Sequence, residues 1–210
     1  MSWRDSMRRK LEAIAEPWAL RFIGPTFEGD TGAAFSLSCA LGNAKRGDAA
    51  VLLWLAKAPV PAFRVFLQSV WEHDHRHVSA AAGKRVNLEA MFRYAAFSLP
   101  EDIPETVTVW RGTSALPRAQ AVRGVSWTLD RDLACWFAMR FADRNGSPLL
   151  LTARVPRSEI LLYTDERSER EAVIFRKRAK VCGTPEDWAR GYAAVFAART
   201  TPNTSTEASA

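Results

Sequence analysis

The feature that most constrains this chain is a change of hydrophobic period near its middle, at Pro100-Glu101-Asp102-Ile103-Pro104. Before it, apolar residues recur every three or four positions; after it, short β-branched runs alternate with polar residues. A period of 3.6 and a period of 2 cannot share one element, so a helical part and a strand-rich part must follow each other. The expectation is an α+β protein: a helical region over 1–104, a strand-rich region with a C-terminal helix over 105–200, and a polar tail, 201–210, whose composition predicts disorder. The prolines at 100 and 104 read as a hinge-like linker.

In the first part, Leu11, Ile14, Trp18 and Phe22 keep helical spacing, with Pro17 expected to kink or end the helix near Glu16. Gly24, Pro25, Gly29, Asp30 and Gly32 then break the pattern. A second helix is expected over Asp48–Lys57, capped by Asp48 and burying Val51, Leu52, Trp54 and Leu55. Pro61 opens a third, with an apolar stripe of Phe63, Phe66, Leu67, Val70 and Trp71. A fourth, Val86 to Leu99, carries Leu88, Met91, Phe92 and Ala95. The third helix runs into Trp71-Glu72-His73-Asp74-His75-Arg76-His77, which holds every histidine of the chain. His73 and His77 would share a helix face with Asp74 nearby, as metal ligands can. No second Cys or His cluster accompanies them, so the expectation is no metal site.

In the second part, Val107-Thr108-Val109-Trp110-Arg111-Gly112-Thr113 is an apolar strand ending in an arginine and a glycine. Gly124-Val125-Ser126-Trp127-Thr128 is a shorter run that sets two hydroxyls on one face and Trp127 on the other. Asp130 to Ala142 reads as a helix with Leu133, Ala134, Phe137, Ala138 and Phe141 on one side. After strands at Leu149–Val155 and Ile160–Tyr163, the stretch 168–175 reads as a strand beginning with Glu169 and Glu171. On a pleat these would share a face, roughly 7 Å apart at about 3.3 Å of rise per residue. Thr184-Pro185-Glu186-Asp187 starts a final helix lined by Trp188, Tyr192, Val195 and Phe196.

Arginine, then Ser-X-Thr, then Glu-X-Glu, on successive expected strands, resembles the mono-ADP-ribosyltransferases of the Arg/Ser/Glu class. The resemblance covers about Glu105 to Gly183 and leaves out the first hundred residues. It implies a split β-sandwich core that cleaves NAD, as substrate, between nicotinamide and ribose and passes ADP-ribose to an acceptor macromolecule, with a protein side chain as the expected acceptor. A helical extension before such a core resembles bacterial toxins and phage effectors.

The resemblance also implies roles. Cleavage develops positive charge on the ribose, which a fixed carboxylate stabilises more in the transition state than in the ground state; Glu171 takes that position. Glu169 matches the acid that engages the acceptor, and a Glu there resembles members that modify arginine. Ser126 matches the hydroxyl that orients the catalytic acid, with Thr128 in place of the usual second serine. Arg111 matches the arginine that grips the dinucleotide phosphates, a task suited to a fork of permanent donors. Gly112 matches the backbone that meets the nicotinamide amide, and Phe137 falls where a helix packs over the nicotinamide end. Two other readings stay open: an NAD glycohydrolase using the same residues, and a non-catalytic module binding protein or nucleic acid through a basic surface.

The bulk numbers limit the partners. A net charge of +6 is compatible with nucleic acid, an acidic partner or a dinucleotide, and no compact basic block with interleaved aromatics stands out, so nucleic acid is not favoured. Three scattered cysteines, Cys39, Cys135 and Cys182, argue against a disulfide framework and for a reducing compartment. The chain shows neither a signal peptide nor a membrane span, so a cytoplasmic location is expected.

Overall fold

The computed structural model describes residues 2–114, 116–166 and 168–200. The chain divides into two compact units between Ser98 and Leu99.

The first unit is helical throughout: α1 (Trp3–Ile14), α2 (Leu20–Glu28), α3 (Thr31–Ala40), α4 (Asn43–Leu55), α5 (Val60–Ala82) and α6 (Arg85–Ala95). The long α5 buries Phe63, Phe66, Leu67, Val70 and Trp71, and α6 buries Leu88, Met91, Phe92 and Ala95, as their periodicity predicts. The Gly/Pro-rich stretch, expected to break the helical pattern, is largely helical. Pro25 sits inside α2, Gly29 ends that helix, and Asp30 caps α3 by accepting from the Ala33 amide at 2.9 Å. A loop with helix-breaking composition is here a helix junction, because the tight turn at 29–30 places a cap where it is needed. α4 begins five residues before the expected Asp48 cap and buries Gly47, Ala49, Ala50 and Leu53, while Val51, Leu52, Trp54 and Leu55, expected in the core, are half-buried. Small residues bring α4 close to α5: a Cβ on Gly47 would stand 2.3 Å from the His77 carbonyl oxygen.

The second unit contains β1 (Thr106–Ser114), α7 (Arg118–Arg123), β2 (Ser126–Thr128), α8 (Arg131–Met139), α9 (Ala142–Asn145), β3 (Pro148–Pro156), β4 (Ile160–Thr164), β5 (Glu171–Ile174), β6 (Lys180–Val181) and α10 (Pro185–Thr200). The strands pair antiparallel in the order β4-β5-β2-β1-β3-β6, which with the helices makes an α+β architecture. Pairing joins all six into one sheet, where the resemblance implies two. The joint is thin: β2 matches β5 at three positions but β1 at one, Trp110 opposite Thr128.

Both faces of the sheet are covered. Val107, Val109, Trp127, Leu151, Ala153, Val155, Ala172 and Ile174 form one core with Ile103 and Ala121. On the other face Leu150 packs with Ala134, Cys135 and Trp188 beneath α8 and α10. Burial pushes the Cys135 thiol up to about 11. α10 starts as expected, with Thr184 Oγ1 accepting from the Asp187 amide and Asp187 Oδ2 accepting from the Thr184 amide. Trp188 and Gly191 are its buried residues, while Phe196 is exposed and stacks on Tyr192.

Two expectations are corrected. The 100–104 stretch is fastened rather than hinge-like: Arg157 donates from its guanidinium to the carbonyls of Leu99, Glu101 and Ile103, and Ile103 is buried. The glutamate strand begins at Glu171, because Ser168 (φ 52°) and Arg170 (φ 43°) adopt left-handed backbone that a pleat cannot contain. The tail, 201–210, lies outside the described residues. No helix among the described residues is long and apolar enough to cross a membrane.

Candidate active site

Arg111 lies where β2 parts from β1. Its strand position, opposite Leu151, turns its Cβ toward the first core, whereas Ser126, Thr128 and Glu171 occupy the other face by register. Beyond the single Trp110–Thr128 pair, β2 parts from β1, and the Arg111 guanidinium takes up the gap. Its Nη1 donates to the Ser126 carbonyl at 2.5 Å. Its Nε is sealed from solvent and makes no hydrogen bond among the described residues. Burial lowers the Arg111 pKa, and the charge of Glu171 acts in the opposite direction. A permanent cation therefore sits in a poorly solvated place, with Glu171 as the carboxylate that stabilises it and with Nε unpaired.

Glu171 heads β5, opposite Thr128 on one side and Thr164 on the other. Ser126, two residues from Thr128 on the same face, is its diagonal neighbour, a spacing of about 7–8 Å between Cα atoms in antiparallel sheets. Arg111 thus meets the Ser126 backbone at the β1–β2–β5 junction, while the Ser126 and Glu171 side chains start from the opposite face of the sheet. Glu169 does not join them on a pleat, since the left-handed Arg170 separates it from the strand. Its carbonyl accepts from the Thr128 hydroxyl at 2.7 Å. The same hydroxyl accepts from the Asp130 amide at 3.0 Å, and the Arg170 carbonyl accepts from the Leu129 amide at 3.0 Å. Thr128 is buried, and through these bonds its oxygen ties the approach to β5 to the start of α8.

Gly112 is also explained by packing. A Cβ there would lie 1.7 Å from the Ala134 carbonyl oxygen and 2.6 Å from the Ala138 nitrogen, so the close approach that glycine permits is to α8. Phe137 falls outside the buried stripe of α8, which is Leu133, Ala134, Cys135 and Ala138. It is half-buried, meets Trp136 edge-on at 5.2 Å, and lies under the Arg140 guanidinium at 4.6 Å. Phe141, expected on the buried side, is exposed.

Sequence reasoning passed over Gly124 and Lys177. A Cβ on Gly124 would stand 2.4 Å from both Cζ and Nε of Arg111. Lys177 Nζ donates to the carbonyls of Gly124 (2.5 Å) and Ile174 (3.0 Å) and lies 5.2 Å from the Trp127 ring centre. The available signal was the glycine shortly before the Ser-X-Thr run, mirroring the one after Arg111, and the basic run Arg176-Lys177-Arg178 just after β5.

The histidine cluster is organised differently. α5 kinks at Asp74 (φ −133°, ψ 32°), which turns that carboxylate inward to Arg46 at 2.5 Å, while His73 Nδ1 lies 3.0 Å from the Ser69 carbonyl. Among the described residues no group of three or more His, Cys, Asp or Glu could hold a metal ion. No family model, no curated protein and no solved structure matches this chain.

Proposed function

We propose that the second unit is a mono-ADP-ribosyltransferase core of the Arg/Ser/Glu type, transferring ADP-ribose from NAD to an acceptor macromolecule such as a protein arginine. The observation that carries this reading is the half-buried Arg111 guanidinium at the β1–β2 parting, held through Nη1 on the Ser126 carbonyl and within the field of Glu171. A dinucleotide pyrophosphate suits such a group, because it brings anionic oxygens to donors that stay charged. The thin β1–β2 joint is compatible with a sheet that divides into the two halves of a split sandwich.

In this reading the bond between nicotinamide nitrogen and ribose carbon breaks, and its electron pair leaves with nicotinamide, which becomes neutral. Glu171 stabilises the positive charge left on the ribose, and Ser126, on the same face, orients it. The acceptor attacks the ribose carbon and loses its proton to a base or to solvent. Phe137, left out of the core, is available to flank the nicotinamide. Thr128 and Gly112 act through the scaffold, by holding the turn before β5 and by seating α8.

Hydrolysis of NAD is the second reading, favoured by the position of Glu169 outside the strand that carries Glu171. Nicotinamide release and labelled-acceptor formation, measured side by side, test both. Glu171→Gln should lower both activities by about a hundredfold or more; full activity in that variant would remove the assignment. Glu169→Gln should suppress transfer and spare hydrolysis if the acceptor is a macromolecule, and should spare everything if it is water.

A further inference from the structure

Arg111 can serve as an anion ligand only if its guanidinium is held in one place, and the neighbouring carboxylate alone cannot do that. The backbone of Gly124 (φ −55°, ψ 146°) lies in a region open to every residue, so conformation does not demand glycine there. What demands it is the guanidinium: a Cβ would stand 2.4 Å from Cζ and Nε and 2.7 Å from Nη2 of Arg111. Carbon and nitrogen cannot approach so closely, and one of the two must move.

Gly124 is the side that cannot yield. Its carbonyl is held by Lys177 Nζ at 2.5 Å and by Trp127 Nε1 at 3.0 Å, and its amide donates to the Ala121 carbonyl at 3.1 Å. Lys177 is itself anchored to the Ile174 carbonyl at the end of β5. The strand that carries Glu171 therefore also braces the peptide on which Arg111 lies. We propose that Gly124 is the positioning residue of the anion site: its bare Cα, braced by Lys177 and Trp127, is the seat that fixes the Arg111 guanidinium in the one place from which it binds the NAD pyrophosphate.

This inference rests on the NAD reading above, and a double-mutant cycle separates the two. NAD affinity by calorimetry and thermal midpoint are measured for the wild type, Gly124→Ala, Arg111→Ala and the double variant. If the seat acts through Arg111, each single change weakens NAD binding by about ten- to a hundredfold, the range of one charge-assisted contact. The double variant is then no weaker than Arg111→Ala alone, and its melting midpoint is no lower, because truncating the arginine vacates the space that the new methyl group needs. A structural role unrelated to Arg111 would give additive losses in both quantities, and that result, or unchanged NAD affinity in Gly124→Ala, overturns the proposal. Should Gly124→Ala not fold by itself, folding of the double variant supports the steric link and its failure overturns it. A wild type that does not bind NAD removes the functional reading and the seat with it.

Discussion

Thr128 shows how one hydroxyl can matter more than the ligand role its position implies. Ser168 and Arg170 hold left-handed backbone without being glycine, a conformation that costs roughly 1–3 kcal/mol each and persists only where neighbours impose it. The constraints are the Thr128 hydroxyl on the Glu169 carbonyl, the Leu129 amide on the Arg170 carbonyl, and the Arg170 amide on Asp165 Oδ1 at 3.0 Å. The neighbouring Tyr163 side chain is the leading reason the Arg170 pKa is raised. Thr128→Val keeps the shape but strands the Asp130 amide and the Glu169 carbonyl, so urea unfolding should show a loss of about 1–3 kcal/mol. Thr128→Ser should recover most of it. Threonine at this position reads from the sequence as ordinary strand chemistry or as a ligand, and neither reading can see a partner 41 residues away.

At the level of elements, the kink of α5 is the clearest case of a tertiary contact overriding local pattern. The apolar stripe of α5 continues past Trp71 to Val78 and Ala82, yet Asp74 leaves helical geometry and is buried against Arg46 of α4. Arg46 also donates from Nε to the Leu41 carbonyl at 3.0 Å, so the guanidinium fastens three segments. Removing it leaves a carboxylate with little solvent. Arg46→Met should cost about 3–5 kcal/mol, seen as a lower denaturation midpoint of the first unit, and adding Asp74→Leu should return most of that loss. A single variant as stable as wild type would show that the pair is solvated after all. The same principle explains α2 and α3, whose Gly and Pro content reads as loop until the cap at Asp30 and the packing of Ile23, Phe27, Ala34 and Leu37 are known.

For the whole molecule, the first residues of the second unit bear directly on how the chain is handled by proteases. Leu99, Glu101 and Ile103 are bound through their carbonyls to Arg157, and the Arg157 amide donates to the Glu105 carbonyl at 2.9 Å. Arg157→Ala should free this stretch, and a glutamate-specific protease should then cut after Glu101 or Glu105 several-fold faster, since cleavage tracks the population of the open segment. An unchanged rate would mean that Ile103 burial alone holds it. Whatever depends on neighbours along the chain could be read in advance: the change of period near residue 100, the stripes of α5 and α6, the alternation of Val107 and Val109 in β1, and the cap of α10. Folding added the rest: Arg111 lies on Gly124 in the parting of two strands, Glu169 leaves the strand of Glu171, and Gly112 makes room for α8. Those outcomes turn on which distant segments meet, and periodicity records only which face of an element is buried, not what it is buried against.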